Sequence, residues 1–277
     1  MNSDKLFQQI QKKQSFLCVG LDTDRDKIPA YIKENTNSQF LFNKAIIDST
    51  HDLSVAYKLN LAFYEAQGSD GWTNLEKTVK YIRYVNPEIF LIADAKRGDI
   101  GNTTEMYARA FFDRIGFDAI TAAPYMGFDS IQAFLERRDH WTILLGCTSN
   151  KSAEDFQFLE VSNEGELLFE RVIRTASRWG NKNNLMFVIG ATRPDTFKRI
   201  RSIIPDHFIL VPGIGAQGGS LEEVCQYGLN DRCGLLVNSS RSIIFADSSD
   251  TFAETARTKA LELQSQMVTI LAQSHLL

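Results

Sequence analysis

Eight short apolar runs, separated by longer amphipathic segments, constrain this chain more than any other feature. The runs cover residues 16–21, 55–59, 89–93, 119–122, 141–145, 186–189, 208–211 and 235–237. Each is short enough for a strand and lacks the strict alternation of a half-solvated one, so each reads as a strand buried on both faces. Helical spacing follows them: Phe40, Leu41, Ala45 and Ile46, then Leu75, Val79 and Ile82, then Met106, Ala110 and Phe111. Further helices are expected over 167–178, 195–203, 221–227 and from 251 onward. Strand-then-helix units repeated in this way build a parallel sheet with helices packed on it, and eight of them close into a (β/α)8 TIM barrel. An additional N-terminal helix over 4–14 precedes the first strand and is placed to close the barrel bottom. With 277 residues and no linker-like stretch, 1–277 reads as one catalytic domain.

Composition excludes several function classes. The net charge of -4 leaves no overall basic surface for nucleic acid. No apolar stretch approaches the roughly 20 residues of a membrane span. The four cysteines show neither a paired spacing nor metal-ligand spacing, and the opening Met1-Asn2-Ser3-Asp4 does not resemble a signal segment. A reduced, cytoplasmic protein is expected.

In a barrel of this kind the functional face lies at the C-terminal ends of the strands, and polar residues do collect after the apolar runs. Asp22 follows the first, Lys58-Leu59-Asn60 closes the second, and Asp94-Ala95-Lys96-Arg97-Gly98-Asp99 follows the third. Thr148-Ser149-Asn150 follows the fifth, the glycine-rich run from Pro212 to Gly219 the seventh, and Asn238-Ser239-Ser240-Arg241 the eighth. Alternate strand residues share a face, so Asp94 and Lys96 point the same way and Asp99 leaves into the next loop. Taken alone, that run fits a structural ion-pair network as well as a functional site. The glycine loop allows close backbone approach to an anion beside a helix N-terminus, and Arg241 adds a fork-shaped cation where such barrels hold phosphate. A plain turn beside a surface arginine is the other reading of that loop.

Together these residues carry a resemblance over nearly the whole chain. Gly20-Leu21-Asp22, Tyr57-Lys58, Asp94-x-Lys96-x-x-Asp99-Ile100-x-x-Thr103, Thr148-Ser149-Asn150, the Pro212 to Gly219 run and Ser240-Arg241 resemble, in order, the motifs of the orotidine 5′-phosphate decarboxylases. The extended Asp-Ala-Lys-Arg-Gly-Asp-Ile-Gly-Asn-Thr form, with Phe63-Tyr64-Glu65 upstream, is similar to the longer bacterial branch. The resemblance implies a homodimer, free of metal and cofactor, that converts orotidine 5′-monophosphate to uridine 5′-monophosphate and CO₂. It implies Lys96 as proton donor, Asp94 beside the substrate carboxylate, and Lys58 with Asp99 completing an alternating charge array. Asp99, Ile100 and Thr103 are expected to serve the neighbouring subunit's site, with Thr103 on the ribose. Asp22 and Lys58 are expected on ribose hydroxyls, Ser149 on the pyrimidine, and Gln217 with Arg241 on the phosphate, where Pro212 and Gly218 also contribute.

Two other readings are weighed. A Mg²⁺-dependent phosphosugar decarboxylase or aldolase shares the Asp-x-Lys-x-x-Asp pattern, yet Lys58 stands where those enzymes place an acidic metal ligand. A non-catalytic nucleotide-binding barrel would show a gap in the charge cluster, and none is present. His51, His140, His207 and His275 lie away from the strand ends and read as surface or loop residues. Cys147 lacks an activating partner, and Arg97 is expected to point away from Lys96. The stretch 148–164 is long for a strand-to-helix loop and reads as a lid or an insertion.

Overall fold

A computed structural model describes residues 1–162, 165–193, 195–214 and 218–277. Eight parallel strands follow one another around a closed barrel: β1 Leu17–Gly20, β2 Ala56–Asn60, β3 Phe90–Arg97, β4 Ala119–Ala122, β5 Trp141–Cys147, β6 Leu185–Ile189, β7 Ile209–Pro212 and β8 Leu235–Ser239. β8 closes on β1 through Leu17↔Val237, Cys18↔Asn238 and Val19↔Ser239. Each apolar run is therefore a strand, and the barrel is the expected one. Its lower interior is packed by aromatic rings: Trp141 of β5 meets Phe90 of β3 and Phe208, which precedes β7, edge-on, with ring centroids 6.0 and 6.5 Å apart.

The strands differ from the expectation at their C-terminal ends. Hydropathy ends β3 at residue 93, β5 at 145 and β8 at 237, but the strands run to Arg97, Cys147 and Ser239. Asp94, Lys96 and Asn238 thus sit within strands. An apolar run ends where the barrel lining turns polar, whereas backbone pairing continues, as in Asn60↔Asp94 and Pro212↔Asn238. A polar side chain at the mouth costs the ladder nothing, so hydropathy alone places the strand ends too early.

Helix Ser3–Lys13 takes the expected place under the barrel. Leu6 and Ile10 are fully buried, Trp141 Nε1 donates to the Met1 carbonyl at 2.7 Å, and Lys13 Nζ donates to the carbonyls of His51 and Ser54. The outer helices include Ser38–Thr50, Gly68–Val85, Leu168–Ala176, Asp195–Ile203, Leu221–Gly228 and Phe252–Gln273. After β4 the expected helix shrinks to Gln132–Leu135, preceded by the 3₁₀ turns Pro124–Met126 and Phe128–Ser130. The third outer helix, Gly101–Ala108, continues as a π-helical segment Arg109–Ile115. Among the described residues no helix is long and apolar enough to cross a membrane.

Candidate active site

At the C-terminal mouth of the barrel lies a cleft of about 760 Å³. Register explains which side chains enter it. Gly20, Lys58 and Ile92 occupy matched positions on β1, β2 and β3, and Asn60 with Asp94 form the next layer toward the mouth, so Lys58 and Asp94 face the same interior space. Lys58 Nζ donates to Asp22 Oδ1 at 3.0 Å and to Asp94 Oδ2 at 2.9 Å. Lys96 Nζ donates to Asp94 Oδ1 at 2.6 Å, and Thr121 Oγ1 donates to the same oxygen at 2.9 Å. Acid, base, acid, base therefore follow one another across three strand ends.

Burial makes this chain of charges stiff. Burial alone would push the Asp94 carboxyl up, but the Lys58 and Lys96 ammonium groups outweigh it and hold that carboxyl well below the usual carboxylate range. Burial alone would likewise pull Lys58 down, but Asp22 and Asp94 reverse the shift and raise it above an ordinary lysine. Lys96 differs from Lys58: its side chain is 49% exposed against 6%, so its ammonium borders the open cleft.

A buried polar network fixes Asp22 from behind. Tyr64 Oη donates to the Leu21 carbonyl at 3.0 Å, and Asn43 Nδ2 donates to Tyr64 Oη at 2.9 Å. Thr23 Oγ1 donates to Asn43 Oδ1, while Gln39 Nε2 donates to the Thr23 carbonyl at 2.9 Å. Main-chain atoms on both sides of Asp22 are thereby tied to helix Ser38–Thr50 and to Tyr64.

The rest of the cleft supplies a different chemistry. Leu145, Val188 and Leu210 from β5, β6 and β7 give it an apolar side, and Thr148, Ser149, Asn150 and Gln157 give a polar edge. Gln157 is anchored there, accepting from Thr148 N at 2.8 Å and donating to Thr148 Oγ1 at 2.8 Å. Gly190 makes room for this edge, since a Cβ on it would lie 2.8 Å from the Ser149 main-chain nitrogen. Pro212, Gly213 and Ile214 at the end of β7 line the cleft, as do Ser240 and Arg241 after β8. Arg241 is exposed and makes no ion pair among the described residues. Gly20 permits β8 to approach, because a Cβ there would overlap the Ser240 hydroxyl at 1.8 Å.

Of the residues singled out in the sequence, Asp22, Lys58, Asp94, Lys96, Ser149, Pro212 and Arg241 line the cleft. Gly218 is exposed with φ +84° and lies outside the described lining, and Gln217 lies outside the described residues. Asp99, Ile100 and Thr103 also lie outside this chain's described lining; Asp99 Oδ1 accepts from Ile100 N at 2.8 Å. Sequence reasoning passed over Thr121, Gln157, Asp24 and Lys27. Thr121 had a signal, as a hydroxyl inside the otherwise apolar 119–122 run, while Gln157 is too distant from a strand end to have one.

Residues given bland readings behave accordingly. Arg97 turns to Glu65 and lies over the Tyr107 ring, 5.2 Å from its centroid. Cys147 is buried, which pushes its thiol up to about 11. His140 stacks on Phe112 at 4.3 Å and precedes β5, remote from the mouth. The 148–164 stretch packs on the barrel through a 3₁₀ turn, Lys151–Asp155, and through Glu154, which binds Arg193 at 2.6 Å; Glu164 lies outside the described residues.

Comparison with known proteins agrees with this geometry. Residues 15–256 match the model of the orotidine 5′-phosphate decarboxylase / HUMPS family. The orotidine 5′-phosphate decarboxylase of Phocaeicola vulgatus is 56% identical over 273 residues, covering 99% of this chain and 100% of that one. The structure of Leishmania donovani OMP decarboxylase superposes with a TM-score of 0.83 at 35% identity, covering 98% and 99% of the two chains. Leishmania donovani UMP synthase gives a TM-score of 0.85 at 37% identity; there, 96% of this chain spans 56% of the longer one. With the family model matched over residues 15–256 and Asp22, Lys58, Asp94 and Lys96 joined in one cleft, the chain belongs to the orotidine 5′-phosphate decarboxylase / HUMPS family.

Proposed function

We propose that this chain decarboxylates orotidine 5′-monophosphate to uridine 5′-monophosphate and CO₂, the last step of de novo pyrimidine synthesis. The observation that carries the reading is the hydrogen-bonded series Asp22, Lys58, Asp94, Lys96 in a cleft that Arg241, which makes no ion pair among the described residues, also lines. When the bond to the carboxylate breaks, its electron pair stays on the pyrimidine carbon. The Lys96 ammonium is held beside that carbon, stabilises the developing negative charge, and transfers a proton to it. Because Lys58 and Asp94 hold one another rigidly, little reorganisation is needed as charge develops. Asp94 faces the substrate carboxylate, and its ionised state, enforced by two ammonium groups, favours loss of a second negative charge from that position.

Asp22 and Lys58 bind ribose hydroxyls, Ser149 the pyrimidine, and Arg241 with Pro212, Gln217 and Gly218 the phosphate. Phosphate binding far from the reacting carbon supplies energy for ordering the site. A homodimer completes it. Support comes from the exposed Ile100, Met106, Tyr125, Met126 and Phe128 on the segments after β3 and β4, an apolar surface beside Asp99 and Thr103. On this reading Asp99 and Thr103 reach the neighbouring subunit's cleft. Four unpaired, buried thiols accord with a reducing, cytoplasmic setting.

Lys58 argues against a Mg²⁺-dependent reading, because its ammonium occupies the space between the Asp22 and Asp94 carboxylates where a divalent ion would bind. The deciding experiment follows the loss of orotidine monophosphate absorbance in excess EDTA. Turnover is expected to be unchanged. Activity abolished by EDTA and restored by Mg²⁺ would move the assignment to the metal-dependent branch; nucleotide binding with no turnover would make this a binding protein.

A further inference from the structure

We infer that Thr121 is a positioning residue for the decarboxylation, holding the Lys96 main chain and the Asp94 carboxylate in fixed relation through one hydroxyl. The local backbone creates the need. β3 pairs with β4 through Ile92↔Ala119 and Ala93↔Ile120, then jumps to Arg97↔Ala122, so four steps along β3 span two steps along β4. The surplus is a bulge, and within it Lys96 adopts φ +49°. A left-handed conformation is unfavourable for a residue with a Cβ and persists only where surroundings impose it.

Thr121 is the residue of β4 that faces the bulge, and it is 1% exposed. Its Oγ1 accepts from Lys96 N at 2.9 Å, satisfying a main-chain donor that the broken ladder leaves over. The same hydroxyl donates to Asp94 Oδ1 at 2.9 Å, and that oxygen also accepts from Lys96 Nζ at 2.6 Å. Three hydrogen bonds thus close a ring from the Lys96 nitrogen, through Thr121 and Asp94, back to the Lys96 ammonium. Both ends of the lysine are referenced to one carboxylate.

That restraint matters because Lys96 is otherwise a long side chain bordering open space. Fixing a lysine side chain takes away much of its rotamer freedom. A hydroxyl that fixes its root and orients its acceptor removes part of that cost before substrate arrives. Threonine suits the position: its branched Cβ is stiff in a strand, so the hydroxyl is held on one bearing.

The inference rests on Lys96 being the proton donor, and the test separates the two claims. Thr121→Val removes the hydroxyl at nearly constant shape, and Thr121→Ser keeps it. Thr121→Val is expected to lower kcat about 10- to 100-fold, the range for misplacing a reacting group by under 1 Å, with the Kd for uridine monophosphate within about threefold. Thr121→Ser is expected to recover kcat to within about fivefold of the original. Thr121→Ala stands in if the valine variant does not fold, with the same expectation. Full turnover without the hydroxyl overturns the inference, as does a serine variant no better than valine, or parallel losses in kcat and nucleotide affinity. Substantial turnover in Lys96→Ala overturns the proton-donor assignment itself, whatever the Thr121 variants do.

Discussion

Replacing Lys58 by methionine removes an ammonium while nearly preserving side-chain volume. Lys58 is 6% exposed and bonds two carboxylates, Asp22 at 18% exposure and Asp94 at 9%. Charge-assisted hydrogen bonds contribute about 1.5–3 kcal/mol each, and breaking a buried ion pair by removing one partner costs about 3–5 kcal/mol. Asp94 keeps its bond to Lys96 and Asp22 is partly solvated, so a loss of about 4 kcal/mol in unfolding free energy is expected at neutral pH. That is close to a thousandfold in the folding equilibrium. The loss has a pH signature. In the native protein the Asp94 carboxyl is depressed, so its contribution is present above the ordinary carboxylate value of about 3.9 and disappears only as pH falls below it. Without Lys58, burial pushes Asp94 upward, and acid unfolding begins at higher pH. Urea unfolding of both proteins at pH 7 and pH 5 measures this. A loss below about 1 kcal/mol, the value of an exposed pair, together with an unmoved acid limb, would refute a buried, charge-coupled Lys58.

Three further outcomes are expected. Arg241→Ala weakens uridine monophosphate binding much more than uridine binding, by titration calorimetry; equal losses would place the phosphate elsewhere. Mixing inactive Lys96→Ala and Asp99→Ala subunits restores part of the activity if Asp99 serves the partner's cleft, because one site per mixed dimer is then intact, and no recovery would assign both residues to the same chain's site. His207 has both ring nitrogens buried without a hydrogen-bond partner among the described residues, and burial brings it down to about 4. Its neutral form is therefore at no disadvantage above about pH 6.5, and stability falls as pH drops from there toward 4, by at most about 3 kcal/mol. His207→Phe should flatten that slope in denaturant midpoints measured from pH 7 to 4.5; an identical slope would mean that other groups cause it.

Where sequence and structure part company, the cause is register. Apolar runs found all eight strands because a strand covered on both faces must be apolar along its length. They could not find that β3 continues through Lys96 with a bulge, since hydropathy reports burial and the mouth of a barrel is polar although still paired. Thr121 escaped for a related reason. Its partners, Asp94 and Lys96, are 27 and 25 positions away, and nothing local to residues 119–122 signals them. The Thr23, Asn43 and Tyr64 network behind Asp22 is equally nonlocal: three polar residues on separate elements, each unremarkable alone.

The sequence by itself determined the architecture and the chemical inventory: eight buried strands, their order, and the acids, bases and glycines placed at the strand ends. Those follow from patterns along the chain, where burial and spacing are local. Only the tertiary structure decided which charges are partners. It joined Lys58 to both Asp22 and Asp94, left Lys96 at the cleft, left Asp99 outside this chain's described lining, and set Thr121 against the bulge. Hydrogen bonds form between atoms about 3 Å apart, and which side chains come that close is fixed by barrel closure and strand register, neither of which is written in any single segment.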